Sequence, residues 1–125
     1  MMMFGEGLLE YLARRRWEVE TGGITVLVDG QPAPLPTSRG DERAALQSTY
    51  SAIRDGLRLD GDSFKFADGV PRAVSNADMM AAIVAAFRHV QGAFNAEGAV
   101  RAQIEAGTLH TTPQVEQAFT AALAA

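Results

Sequence analysis

The 125-residue chain has no cysteine. That excludes a disulfide framework and thiol chemistry, and it is neutral on compartment. It has only two histidines, His89 and His110. A three-histidine metal site is therefore excluded, and neither histidine has a His or Glu partner four residues on. Cations are outnumbered: Lys and Arg total 11 against 15 Asp and Glu, for a net charge of −4 and a pI near 5.1. A general nucleic-acid binder carries the opposite surplus. No apolar run is long enough to span a bilayer. The opening Met1-Met2-Met3-Phe4 has no basic region ahead of an apolar one, so no secretory signal is expected there.

The motifs that carry chemistry are missing in the same way. No serine or threonine sits in a nucleophile elbow, and Ser48 and Ser51 read as surface positions of a helix. Gly5-Glu6-Gly7 and Gly22-Gly23 have no Lys in register and are not phosphate loops. Asp60-Gly61-Asp62-Ser63 begins like a calcium loop but has no Gly at its sixth position and Pro71 where the twelfth requires Glu, so it reads as an acidic turn. His89 reads as a packing histidine on a helix, and His110 as part of a loop before a helix start. Arg39-Gly40-Asp41 matches an adhesion tripeptide by letter only; an acid there suits a helix N-terminus. Arg14-Arg15-Arg16 beside Trp17 is the one basic patch, and a solvated helix end explains it. The expectation is a non-enzymatic chain with no catalytic residue, cofactor or metal.

What remains is a fold signal. Hydrophobic residues make up 47% of the chain and charged residues 21%. One ordinary domain can bury a core on that composition, and the surface is less charged than a fully solvated monomer displays. Much of the apolar content is paired alanine, which favours close helix packing.

Residues 1–16 read as an N-terminal helical arm, helical over 4–16, with Phe4, Leu8, Leu9 and Leu12 as a candidate docking face. Residues 17–125 read as one α+β domain. Trp17, Val19 and Thr21 alternate with Glu18 and Glu20, which predicts a hairpin over 17–28 turning at Thr21-Gly22-Gly23. Asp29-Gly30 closes its second strand, and Pro32, Pro34 and Pro36 predict an extended linker. A helix follows over 41–56, with Leu46, Tyr50, Ile53 and Leu57 as its stripe. A second hairpin, 63–74, turns at Ala67-Asp68-Gly69, with Pro71 on an edge strand.

Ser75 or Asn76 caps the main helix, 76–106, in which Asp78 resembles a capping-box acid. Met80, Ile83, Phe87, Val90 and Phe94 recur at spacings of three and four, a heptad seam that recovers at Ile104. The seam is a candidate for core packing or for self-association. Thr112-Pro113 starts a last helix, 113–124, with Val115 and Phe119 on its apolar face. The expected class is α+β: two short β-hairpins with a long C-terminal amphipathic helix and shorter helices.

The run from Phe64 to Gly107 resembles a family of uncharacterised domains found in tailed bacteriophages and prophages. The matching residues are Phe64, Lys65, Phe66, Asp68, Gly69, Asp78, Met79, His89, Val90, Phe94, Glu97 and Ile104. Arg16-Trp17-Glu18-Val19-Glu20 with Gly22-Gly23-Ile24 looks like the family's entry hairpin, ahead of the helix Arg43–Gly56. The likeness covers about residues 12–124, and the Pro-rich stretch 30–36 departs from it. The resemblance implies no catalytic activity and no site residues. Such members are often encoded near tail and tail-fibre genes, which implies a virion component of the tail, baseplate or fibre attachment, made in the host cytoplasm. A fibre-assembly chaperone absent from the virion is the alternative. The partners expected are other tail, baseplate or fibre proteins and copies of the chain itself, with a trimer among the arrangements; nucleic acid and membrane insertion are not expected. A host enzyme or ligand-binding domain would instead need a polar pocket around His89 and Glu97.

Overall fold

A computed structural model describes residues 7–125. Its elements run α1 (Leu8–Thr21), β1 (Ile24–Val28), β2 (Gln31–Leu35), α2 (Asp41–Arg54), β3 (Ser63–Lys65), β4 (Pro71–Ala73), α3 (Asn76–Glu105) and α4 (Thr112–Leu123). The class is α+β, with two separate two-stranded antiparallel sheets, a long helix and shorter ones, as the sequence predicts. By compactness the chain divides into two units: residues up to Glu20 with Gln91–Ala125, and Thr21–Val90. Each has its own apolar cluster.

In the unit of Thr21–Val90, β1 pairs with β2 from Ile24↔Leu35 to Val28↔Gln31. Asp29 (φ 51°) and Gly30 (φ 78°) form the turn. Two successive positive φ values match the right-handed twist of the strands, which is why Asp-Gly favours a two-residue hairpin. Val26, Val28, Ala33 and Leu35 point inward and are buried. Pro32 and Pro34 alternate with them, and both strands of a two-stranded sheet are edges, where a missing N–H is tolerated. The outer side of β2 is also used: Ala67 N–H donates to Pro34 O at 2.9 Å. The second hairpin pairs Ser63↔Ala73 to Lys65↔Pro71. Arg72 closes it, ion-paired to Asp68 at 2.8 Å and set over the Phe66 ring at 5.0 Å.

A hairpin over 17–28 does not form; this corrects the expectation. Residues 17–21 continue α1, and the hairpin runs over 24–35, with the Pro-rich stretch as its second strand. The alternation of Trp17, Val19 and Thr21 is overridden by pairs at helical spacing. Arg14 meets Glu18 at 2.9 Å, Arg15 meets Glu18 at 2.7 Å and Arg16 meets Glu20 at 2.7 Å. Each such pair adds a few tenths of a kcal/mol to a helix. The helix stops where Gly22-Gly23 begins, and Gly23 takes φ 80°.

α2 ends at Arg54 rather than at 56. Asp55 donates its N–H to Ser51 O, and Gly56 turns the chain with φ 74°. Leu57 therefore leaves the helical stripe and stands in solvent. Ser75 caps α3: its Oγ accepts the Asp78 N–H at 3.0 Å. Gly107 (φ 78°) follows the end of α3. α4 opens with a reciprocal box in which Thr111 Oγ1 accepts from Gln114 N–H and Gln114 Oε1 accepts from Thr111 N–H.

The inner face of α3 lies one position away from the predicted seam. Its fully buried residues are Met79, Ala82, Ala86, Ala93, Ala96 and Val100, with Ile83 beside them. Of the predicted seam, Ile83 is buried, Met80, Val90 and Ile104 are half-buried, and Phe87 and Phe94 are exposed. Both stripes obey the same spacing of three and four. Alanine lets the packed elements approach closely where phenylalanine would hold them apart, so the small residues take the inside.

Candidate functional site

The structural features open to function lie in two places, one in each unit. The first is a groove of about 720 Å³ in the unit of Thr21–Val90. One wall comes from α2, where Arg43, Leu46, Gln47, Tyr50 and Ser51 recur at helical spacing. The other comes from the N-terminal half of α3, with Ile83, Val84, Ala86, Phe87 and Val90; Thr37 lies at the end. Leu46 and Ile83 are buried and form the floor. The rims are apolar side chains in solvent: Tyr50 is 41% exposed, Val84 49% and Phe87 64%. Adjacent exposed aromatics and aliphatics are unfavourable against water, and burying them on a partner releases that cost.

The polar groups at the groove are fixed by the fold. The buried Thr37 hydroxyl accepts the Gly23 N–H at 2.9 Å, and its carbonyl accepts from Arg43 Nε and Nη2 at 3.3 and 2.9 Å. Among the described residues no carboxylate lines the groove. Arg88, one residue beyond Phe87, is exposed.

The second place is a network in the unit of residues up to Glu20 and Gln91–Ala125. Glu116 accepts from Arg15 Nε at 2.7 Å, from Arg15 Nη2 at 3.1 Å and from the Tyr11 hydroxyl at 2.8 Å. The Arg15 guanidinium holds the Glu116 carboxyl down at about 2, with help from the Tyr11 and Thr120 hydroxyls and against partial burial. The same carboxylate raises Tyr11, chiefly through their hydrogen bond, and raises Arg15. Arg16 donates to Glu20 at 2.7 Å and to Glu97 at 3.1 Å, and lies over the Phe94 ring at 5.1 Å. All three arginines of the basic patch are thus consumed by carboxylates, and Glu97 is a partner of Arg16. These contacts tie the helices together, and Glu116, lowered by Arg15, is the opposite of an acid or base poised near neutral pH.

The remaining sequence candidates fall as follows. Leu12 is buried in the cluster with Ala96, Val100, Val115 and Phe119, Leu8 packs against that cluster, and Leu9 is partly exposed. Phe4 lies outside the described residues. Asp29, Asp60 and Asp78 border a shallow depression with Ser75. Asp78 accepts the Asp29 N–H at 2.9 Å and Asp60 accepts the Asn76 N–H at 2.7 Å, so two of the three carboxylates tie backbone. Among the described residues no group of three or more His, Asp or Glu could hold a metal ion, and no helix is long and apolar enough to cross a membrane.

Sequence reasoning found Phe87 and Val90 but missed Tyr50 and Val84 as their neighbours at the groove. The sequence places Tyr50 on one apolar stripe with Leu46, Ile53 and Leu57. The available signal was the row Arg43, Gln47, Tyr50, polar at two of three positions, which marks a helix face at the solvent boundary.

Residues 6–123 match the model of a family described as a domain of unknown function, DUF4376. No curated protein and no solved structure matches the chain.

Proposed function

This chain belongs to the DUF4376 family, and we propose that it is a non-enzymatic structural protein of a tailed bacteriophage, acting in the tail, baseplate or tail-fibre attachment region by protein–protein contact. The phage setting is supported by the resemblance of the run Phe64–Gly107 and of the segment around Arg16–Ile24 to phage and prophage domains. Action by contact is supported by the groove between α2 and α3, where Tyr50, Val84 and Phe87 present apolar surface beside a buried floor. That is the observation that carries the reading: apolar side chains grouped at one groove mark a contact surface more often than singly scattered ones do. The charged groups of the other unit are matched to one another, which supports a scaffold role rather than acid–base chemistry.

In this reading the protein resides in the virion tail after synthesis in the host cytoplasm, and its partners are other tail, baseplate or fibre proteins. Homo-oligomerisation through the exposed part of the predicted seam, Phe87 and Phe94, belongs to the same reading. Mass spectrometry of purified virions tests it: the chain is expected at fixed stoichiometry. Presence in lysates with absence from virions would replace it by the second reading, a fibre-assembly chaperone that leaves the particle.

A further inference from the structure

We propose that the open edge of β1 pairs with the same edge of a second copy of this chain, giving a four-stranded antiparallel sheet in the order β2–β1–β1–β2. The inference does not rest on the tail assignment, and it concerns a surface separate from Phe87 and Phe94. It starts from the hydrogen bonds of the first hairpin. Val28 and Gln31 flank the two-residue turn and face each other, so they form a hydrogen-bonded pair, and the pairs alternate from there. Val26↔Ala33 and Ile24↔Leu35 bond within the hairpin, whereas Thr25↔Pro34 and Leu27↔Pro32 turn their backbone groups outward. Both prolines thus fall where the ladder needs no N–H. The Ala67 N–H bound to the Pro34 carbonyl agrees with that direction.

The two edges of the hairpin are therefore unlike. On β2, Pro32 and Pro34 offer no donor, and the Pro34 carbonyl is already taken. On β1, the N–H and C=O of Thr25 and Leu27 face outward. Among the described residues no hydrogen bond from outside the hairpin reaches either of them. Edge strands are ordinarily guarded by charge, proline or a bulge. Ile24–Val28 has none of these: it reads ITVLV, and its pairing with β2 runs without interruption. Leu27 adds an apolar side chain that is 62% exposed.

Two observations select a second copy as the occupant. The first is self-complementarity. A two-fold axis through Val26 sets Thr25 of one copy opposite Leu27 of the other, so every outward N–H meets a carbonyl. The faces agree as well, because opposed residues of antiparallel strands share a face: Val26 meets Val26 on the core side, and Leu27 meets Thr25 on the solvent side. The second is closure. Pairing consumes the open edge of each copy and leaves a proline edge on both outer sides, so growth stops at two chains. The contact is small. Five residues span about 17 Å, whereas a standard interface buries about 800 Å² per partner. The dimer is expected to be weak, with a Kd on the order of 100 µM.

The test uses the full chain. Sedimentation from about 10 µM to about 1 mM is expected to show monomer passing to dimer. Amide exchange read by NMR is expected to slow about fivefold at Thr25 and Leu27 at about 1 mM, with Val26, already bonded to Ala33, unchanged. Leu27→Lys puts a charge on the edge, and Thr25→Pro removes an outward N–H while sparing the bonds of the hairpin. Each is expected to weaken dimerisation about tenfold or more. Leu27 is exposed, so circular dichroism is expected to show Leu27→Lys folded, which keeps the test decisive if Thr25→Pro does not fold. A chain that stays monomeric at about 1 mM, Thr25 and Leu27 amides indifferent to concentration, or a dimer that survives Leu27→Lys would overturn the proposal. A dimer kept in Leu27→Lys but lost in Phe87→Ala would assign self-association to the α3 seam instead. Virion mass spectrometry is independent of all these readouts, so failure of the edge pairing and failure of the tail assignment remain distinguishable.

Discussion

The Arg16 guanidinium donates to Glu20 across 2.7 Å, and the Glu20 side chain has no exposure to solvent. Through its Nε the same guanidinium reaches Glu97 at 3.1 Å on α3, and its face covers Phe94. One cation on α1 thus supports two carboxylates and a ring. Removing it takes a charge-assisted hydrogen bond from a buried acid, which is costlier than losing an exposed pair. Arg16→Ala is expected to cost about 3 kcal/mol of unfolding free energy by urea denaturation. Arg16→Lys, whose single ammonium does not reproduce the two-sided fork, is expected to fall between that variant and the wild type. Arg14→Ala removes an exposed pair with Glu18 and a cation over the Tyr11 ring at 5.1 Å, and is expected to cost about 1 kcal/mol or less. Equal losses at 14 and 16 would contradict the role given to Arg16.

The Glu116 network predicts a pH dependence with a definite sign. The Arg15 guanidinium lowers Glu116 from an ordinary 4.5 to about 2 in the folded chain. The unfolded chain therefore binds the proton first as pH falls. The stabilisation is fully present above about 4.5 and is lost as pH falls from there towards 2. Urea midpoints measured from pH 6 to 2 are expected to decline through that window in the wild type. Glu116→Gln is expected to be less stable at pH 6 and to decline less steeply below 4.5. A variant with the wild-type slope would place the acid sensitivity elsewhere; Asp68, also held at about 2 by Arg72, is the next group to substitute.

The orientation of α3 is tested by substitutions of opposite size. Ala93 and Ala96 are buried, so Ala93→Leu or Ala96→Leu forces a branched side chain into the interior. Each is expected to cost about 1–3 kcal/mol. Phe87→Ala removes a large side chain that stands mostly in solvent, and is expected to change stability by under about 0.5 kcal/mol. A helix oriented by its phenylalanines would give the reverse, with Phe87→Ala the damaging variant and the alanine sites tolerant.

That comparison also shows where the sequence was legible. Period and punctuation place helices over 41–56, 76–106 and 113–124 and a hairpin over 63–74, each within about two residues of the element that forms, because capping residues and Gly or Asp-Gly turns act locally. The face of α3 was not legible. Its aromatic and alanine stripes share one period, and only the packing partner decides which turns inward. The first hairpin was misplaced for a related reason. Arg16 and Glu20 pair across a helical turn and hold 17–21 in α1, against an alternation read as strand. The Asp29-Gly30 turn is the stronger local signal, but Pro32, Pro34 and Pro36 exclude a central strand and so predict a linker after it. They are compatible with an edge. Of the groove, the α3 wall was within reach of the periodicity, whereas the α2 wall depends on where tertiary packing leaves Tyr50.

Gly23 is where the start of β1 comes closest to its partner strand. A Cβ built there would lie 3.0 Å from the carbonyl oxygen of Leu35, and the residue takes φ 80°. Its N–H is bound by the buried Thr37 hydroxyl, so the segment has no easy way to shift. Gly30 takes a similar φ of 78° in the hairpin turn but has open space around it. Gly30→Ala therefore meets only the left-handed backbone penalty, about 1 kcal/mol. Gly23→Ala meets the same penalty and a collision with backbone, and is expected to cost about 2–3 kcal/mol. Urea midpoints of the two variants measure the difference. Equal losses would mean that the strand entry relaxes freely and that contact with the Leu35 carbonyl does not constrain residue 23.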